Sequence, residues 1–178
     1  MQRVRRAMLG WPLLALPGLA RAQAPSGPAT DPGEVIPLWP RGPPGGVPSG
    51  LSQRIVERGG AQGQRDRAVS GITRPTLTVF RPPNTKGRGC VLVVPGGGYE
   101  RVLLDREGFE IARWLSRRDI TAYVLTYRLP GEGWAAGRDA PLQDVQRAIP
   151  QYERNTVSLD LAARGRQAEG SERCDPAG

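Results

Sequence analysis

Five apolar residues in a row, Cys90 to Val94, are cut off by Pro95 and then by Gly96-Gly97-Gly98-Tyr99. An unbroken apolar run this short has the pattern of a strand covered on both faces, not of one with a wet side. The proline and glycines end the pairing at once and turn the chain sharply. A fold holding this run must place layers on both sides of a strand and open a tight turn at its tip.

The flanking patterns supply those layers. Ala68 to Thr73 and Thr76 to Phe80 alternate as strands, with Arg74-Pro75 between them, and Asn84 to Gly89 is a polar turn. Asp105 to Arg118 reads as a helix, with Asp105 as its N-cap, Phe109, Ile111, Ala112 and Leu115 as its buried stripe, and Trp114 in the core beside them. Asp105 and Glu107 suit a helix start through the dipole. Thr121 to Leu129 is a further strand. Asp139 to Ile149 is a second helix, with Pro141 in its first turn and Asp144 and Arg147 as an i, i+3 surface pair. Strand, helix, strand, helix predicts parallel pairing through crossovers.

Outside this stretch the chain changes character. Residues 1–22 have a signal peptide's parts: Arg3, Arg5 and Arg6, then an apolar stretch too short to span a bilayer, then Ala20-Arg21-Ala22 as a cleavage site. Arg5-Arg6 also fits a twin-arginine signal. The remainder is expected in the periplasm or outside the cell, with no membrane contact after cleavage. Residues 23–66 read as a linker and N-terminal strap: Val35 to Pro40 docks on the domain, and 51–66 is loop. Residues 67–149 form the domain. Residues 150–178 lack periodicity and are expected to be disordered. Of the two cysteines, Cys90 is expected free and buried, and Cys174 lies in the tail.

The net charge of +8 falls by about half when the leader, with Arg3, Arg5, Arg6 and Arg21, is removed. The other arginines are scattered among carboxylates without a basic stripe, which argues against a nucleic-acid partner.

Five segments in order, Ile36 to Pro40, Val94 to Tyr99, Glu107 to Leu115, Ile120 to Leu129 and Ala140 to Ile149, resemble secreted α/β-hydrolase esterases of the acetylxylan-esterase and feruloyl-esterase type. The resemblance implies an α/β class: a truncated α/β-hydrolase fold, a mostly parallel sheet with flanking helices, holding only the front half of the family's domain. Cys90 to Val94 would then be an unpaired edge, its second partner missing. It also implies a carboxylic-ester hydrolase of acetyl-esterase type, acting on a small-molecule or carbohydrate ester once completed. The resemblance stops at Pro150, which reads as a frameshift or premature end.

The chemistry follows the same division. Ester cleavage builds negative charge on a carbonyl oxygen, and backbone N–H groups stabilise it. By resemblance Gly97 and Gly98 supply those donors and Tyr99 lines the pocket; the alternative is a strand-to-helix turn with no chemistry. A dinucleotide loop is excluded, because Arg101 stands at the third glycine position. Trp134 either stacks on a sugar or aryl ester or packs in its loop. The chain has no histidine and no G-x-S-x-G. A Ser-His-Asp enzyme needs both. None of its seven serines sits on a glycine-flanked elbow, and Lys86, the sole lysine, lies in a polar turn. No cofactor and no metal are expected, for lack of ligands. The chain is therefore expected to be inactive alone, or else a non-catalytic exported remnant that binds carbohydrate or ester.

Overall fold

The computed structural model describes residues 31–60, 64–83 and 89–154. The expected signal peptide, the front of the linker, Lys86, Cys174 and all but the first five residues of the expected tail lie outside the described residues.

Among the described residues, seven strands form two sheets. The larger has the order β1 (Val35–Pro37), β4 (Thr76–Phe80), β7 (Thr121–Thr126), β5 (Cys90–Val93). The smaller has the order β2 (Arg54–Glu57), β3 (Arg67–Ser70), β6 (Val102–Leu103). A π-helical turn, Asp105–Phe109, leads into α1, Glu110–Ser116, and α2 covers residues 140–154. Among the described residues no helix is long and apolar enough to cross a membrane.

The expected mostly parallel α/β-hydrolase sheet is not what forms. Only β5 and β7 run parallel, with Cys90 opposite Thr121 and Val93 opposite Val124. The pairs β1–β4 and β4–β7 are antiparallel, and the smaller sheet is antiparallel throughout. The reason lies in the connections. A parallel pair needs a long crossover, and α1 supplies one between β5 and β7. Among the described residues no helix separates β1 from β4, so helix-strand alternation governs only the segment after residue 89. The expected strap is partly edge strand β1, and the expected loop 51–66 contains β2.

Each helix covers one face of the larger sheet. Neighbouring residues on β7 point to opposite faces. Tyr123 stacks on Tyr152 of α2, with ring centroids 5.8 Å apart. Val124 faces the π-helical turn, where a Cβ on Gly108 would stand 2.9 Å from Val124 and 3.1 Å from Pro95. Only glycine lets this turn lie so close to the sheet. Leu77, Val79, Phe80, Ala122, Leu125, Phe109, Ala112 and Ala148 fill the core between the layers. As expected, β5 is an edge: among the described residues it pairs with β7 alone. Val91 is 38% exposed and Val94 44%, so the run is only partly covered. Cys90 is free and half-buried.

Several polar residues take deeper roles than their spacing suggests. Asp105 is not an N-cap. It is buried and accepts hydrogen bonds from Arg67 N (2.7 Å), Nε (2.8 Å) and Nη2 (2.7 Å), joining β3 to the π-helical turn. Burial alone would raise its pKa, but those bonds and the charges of Arg67 and Arg113 prevail and hold it below the usual carboxylate value. Asp144 does not pair with Arg147 on the surface. Asp144 and Arg128 are both fully buried and form a salt bridge of 2.8 Å. Trp39 Nε1 donates to the same carboxylate at 2.7 Å, while Arg147 Nε donates to Leu38 O. Trp114 is 49% exposed instead of core, with the Arg118 guanidinium 3.8 Å from its ring centre. The second helix runs past Ile149 and through Pro150, leaving the Gln146 carbonyl without its helical donor.

Asp144→Ala should cost about 3–5 kcal/mol in urea unfolding, because it strands a buried guanidinium. Replacing Arg128 by Met and Asp144 by Leu together should cost less than that single change. Asp105 has a depressed folded pKa, so its contribution is complete above the unfolded value and shrinks as pH falls. Unfolding midpoints should drop below about pH 4, and Asp105→Asn, though less stable at pH 7, should flatten that drop.

Candidate functional site

The site is built at the tip of β5. Beyond Val93 the chain leaves the sheet, and two anchors fix where it goes. Tyr127, on the neighbouring strand's extension, donates its hydroxyl to Pro95 O at 2.8 Å in a buried position. Burial, then the charges of Tyr99 and Glu107, raises the Tyr127 pKa, so the phenol keeps the proton it donates. Glu107, in the π-helical turn, accepts from Gly96 N at 2.8 Å. Sequence reading gave Glu107 only a helix-dipole role. Its contact with the loop comes from folding the turn back against Pro95 and β7, which no local pattern encodes.

Between these anchors and β6 the loop closes on itself. Gly97 O accepts from Glu100 N and Arg101 N, each at 3.3 Å, and Gly96 O accepts from Leu103 N at 2.9 Å. Gly97 (φ 139°), Gly98 (φ 67°) and Tyr99 (φ 59°) are consecutive residues of positive φ. For Tyr99 that conformation costs about 1–2 kcal/mol, and such strain gathers at functional sites. A Cβ on Gly97 would stand 2.1 Å from Arg101 O, whereas one on Gly98 meets nothing within 4 Å. Gly96 N–H is committed to Glu107; those of Gly97 and Gly98 find no acceptor among the described residues.

The loop forms one wall of a cavity of about 460 Å³. Tyr99, Tyr127, Val94 and Val145 contribute to its lining, together with Arg138, Pro141 and Leu142 from the start of α2. The structure thus brings Gly97, Gly98 and Tyr99 together in one cavity. Tyr99 is 63% exposed and also borders a second cavity of about 420 Å³ with Ser52, Ser70 and Glu132.

Trp134 lies elsewhere. It is 3% exposed and does not line the cavity of the glycine loop. Its Nε1 donates to Glu132 at 3.2 Å, and the Arg128 guanidinium carbon stands 5.1 Å from its ring centre. Glu132 also accepts from Gly71 N and Leu129 N, closing the loop that carries Trp134. Of the two roles open to this tryptophan, the packing one accounts for every contact seen.

No serine lines the glycine-loop cavity among the described residues. Nor do those residues gather three or more His, Cys, Asp or Glu side chains that could hold a metal ion.

No family model matches the chain. Over 81 residues, 46% of its length, the chain is 35% identical to the acetylxylan esterase of Xylanibacter ruminicola. That segment is 16% of the relative's length, so the chain spans a small part of the esterase it resembles.

Gly97→Ala should destabilise the chain by more than about 1 kcal/mol, since both the dihedral and the Arg101 carbonyl oppose a Cβ. Gly98→Ala should cost less, about 1 kcal/mol for the dihedral alone. Paired urea titrations check the order; equal costs would refute this loop geometry.

Proposed function

We propose that the chain carries the anion-stabilising part of a carboxylic-ester hydrolase site. The observation that carries this reading is the loop itself: two N–H groups without acceptors, on consecutive left-handed glycines, at the edge of a cavity. Gly97 and Gly98 donate to the oxygen of a tetrahedral intermediate, and Tyr99 lines the pocket beside it. Each such donor is worth a few kcal/mol in the transition state, because it is aimed before the charge develops. Partial similarity to an acetylxylan esterase supports an ester as ligand.

The attacking machinery is not encoded. With no histidine in 178 residues, no imidazole takes a proton from a hydroxyl or returns it to the leaving alcohol. The chain alone stabilises without attacking. Export by the N-terminal signal and a periplasmic or extracellular site of action belong to the same proposal, as does a carbohydrate ester ligand.

Hydrolysis of p-nitrophenyl acetate tests it. The isolated 178-residue chain should give no multiple turnover, and adding an esterase C-terminal half bearing Ser, Asp and His should generate it. Sustained turnover by the isolated chain, cleared of host lipases, would overturn the inactive assignment. Failure of complementation despite a formed complex would overturn the esterase assignment.

A further inference from the structure

The glycine-loop cavity has a cation at its rim that ester hydrolysis itself does not require. Arg138 sits in the 3-10 turn Gly137–Asp139 and lines the same cavity as the glycines. Seven other arginines form salt bridges among the described residues; Arg138 forms none. Among the described residues no carboxylate lines the cavity. Pro141 and Leu142 bring the N-terminal end of α2, a fifteen-residue helix, to the same wall. The helix dipole therefore adds positive potential there. The remaining wall is apolar or aromatic: Val94, Leu142, Val145, Tyr99 and Tyr127. Positive charge over an apolar wall is complementary to a ligand that carries a carboxylate on an otherwise uncharged body.

Resting on the esterase reading above, we propose that Arg138 makes this cavity selective for esters bearing a free carboxylate near the ester group. The ester carbonyl meets the Gly97 and Gly98 N–H groups while the guanidinium pairs with the carboxylate, a geometry that arginine's forked donors suit. The carboxylate belongs either to the acyl part, as in a dicarboxylic half-ester, or to the alcohol, as in an acetylated uronic acid.

Amide chemical-shift titration of the ¹⁵N-labelled 178-residue chain, followed at Gly97 and Gly98, tests this without turnover. Monomethyl succinate is compared with dimethyl succinate, and acetylated methyl glucuronoside with acetylated methyl glucoside. At low salt the charged member of at least one pair should bind about three- to five-fold tighter, as expected for a partly exposed ion pair. The preferred pair identifies which side carries the charge. Arg138→Gln should erase the preference, and Arg138→Lys should retain part of it. Raising salt to 1 M should erode it in the wild type. Neutral esters that shift both glycine amides as strongly as their charged partners would sink the selectivity and spare the loop. A preference that survives Arg138→Gln would do the same. No shift from any of the four ligands would overturn both readings.

Discussion

The rest of the structure hangs on the fully buried pair Arg128 and Asp144. Removing a guanidinium and a carboxylate from water costs several kcal/mol each, and only dense hydrogen bonding offsets it. Asp144 receives Arg128 N and Nε, Arg128 Nη2 and Trp39 Nε1. Arg128 Nη2 also reaches Gln143 and the Ala140 carbonyl. Its Nη1 has no hydrogen-bond partner among the described residues, while the guanidinium carbon lies 5.7 Å from the Trp39 ring centre and 5.1 Å from that of Trp134. One ion pair thus ties together the end of β7, the first turns of α2 and the segment after β1. These three parts are distant in sequence, and no backbone ladder joins α2 to the other two. The wall formed by Pro141, Leu142 and Arg138 takes its place from that pair.

The glycine loop is held from the opposite direction, by groups that belong to the β5–α1–β7 unit. Tyr127 fixes the carbonyl before the glycines, Glu107 takes the first glycine N–H, and bare Gly108 lets the π-helical turn approach Pro95 and β7. This division of labour explains why the loop holds a costly run of left-handed residues. Strain persists only where the surroundings over-determine it. Here the entry to the loop is pinned twice before the first left-handed residue is reached, and Leu103 N, donating to Gly96 O, closes the far side.

What the sequence made legible was local. The apolar run at Cys90, the alternation at Thr76 to Phe80 and the strong strand at Thr121 lie close to where strands form, because each is set by side chains within a few residues. Strand direction was not legible: it depends on what joins consecutive strands of a sheet, and among the described residues only β5 and β7 are consecutive strands of one sheet joined through a helix. Asp105 and Asp144 sit where the helix-dipole and i, i+3 rules apply, and both rules describe solvated carboxylates. Their true partners, Arg67 and Arg128, lie 38 and 16 residues away, beyond any periodic pattern. Trp114, expected in the core, is exposed, and Trp134, left open between stacking on a ligand and packing, is buried, for a related reason. A tryptophan beside an apolar stripe and one in a glycine-rich loop differ in burial only once the tertiary partners are known, and Arg128 is the partner that takes Trp134 out of solvent. The clustering of Gly97, Gly98 and Tyr99 was legible because it is contiguous. Arg138 in the lining of the same cavity was not, because it lies about 40 residues further on, in the 3-10 turn before α2.

The chemistry of the loop and the chemistry of attack separate for a physical reason. Stabilising an oxyanion takes fixed dipoles, and a main-chain turn supplies them from one stretch of chain. Activating a hydroxyl takes a nucleophile, a base and a third group to orient it, drawn from parts of a sequence that need not be neighbours. A chain whose front portion folds around its own buried ion pair and its own loop anchors can therefore keep the first function while encoding none of the second. Every contact that shapes the glycine turn lies between residues 95 and 127, and none involves a residue of catalytic type for proton transfer between a serine and an imidazole. On the proposed reading, the anion site is a property of the β5–α1–β7 unit, and attack is a property of whatever completes the β5 edge.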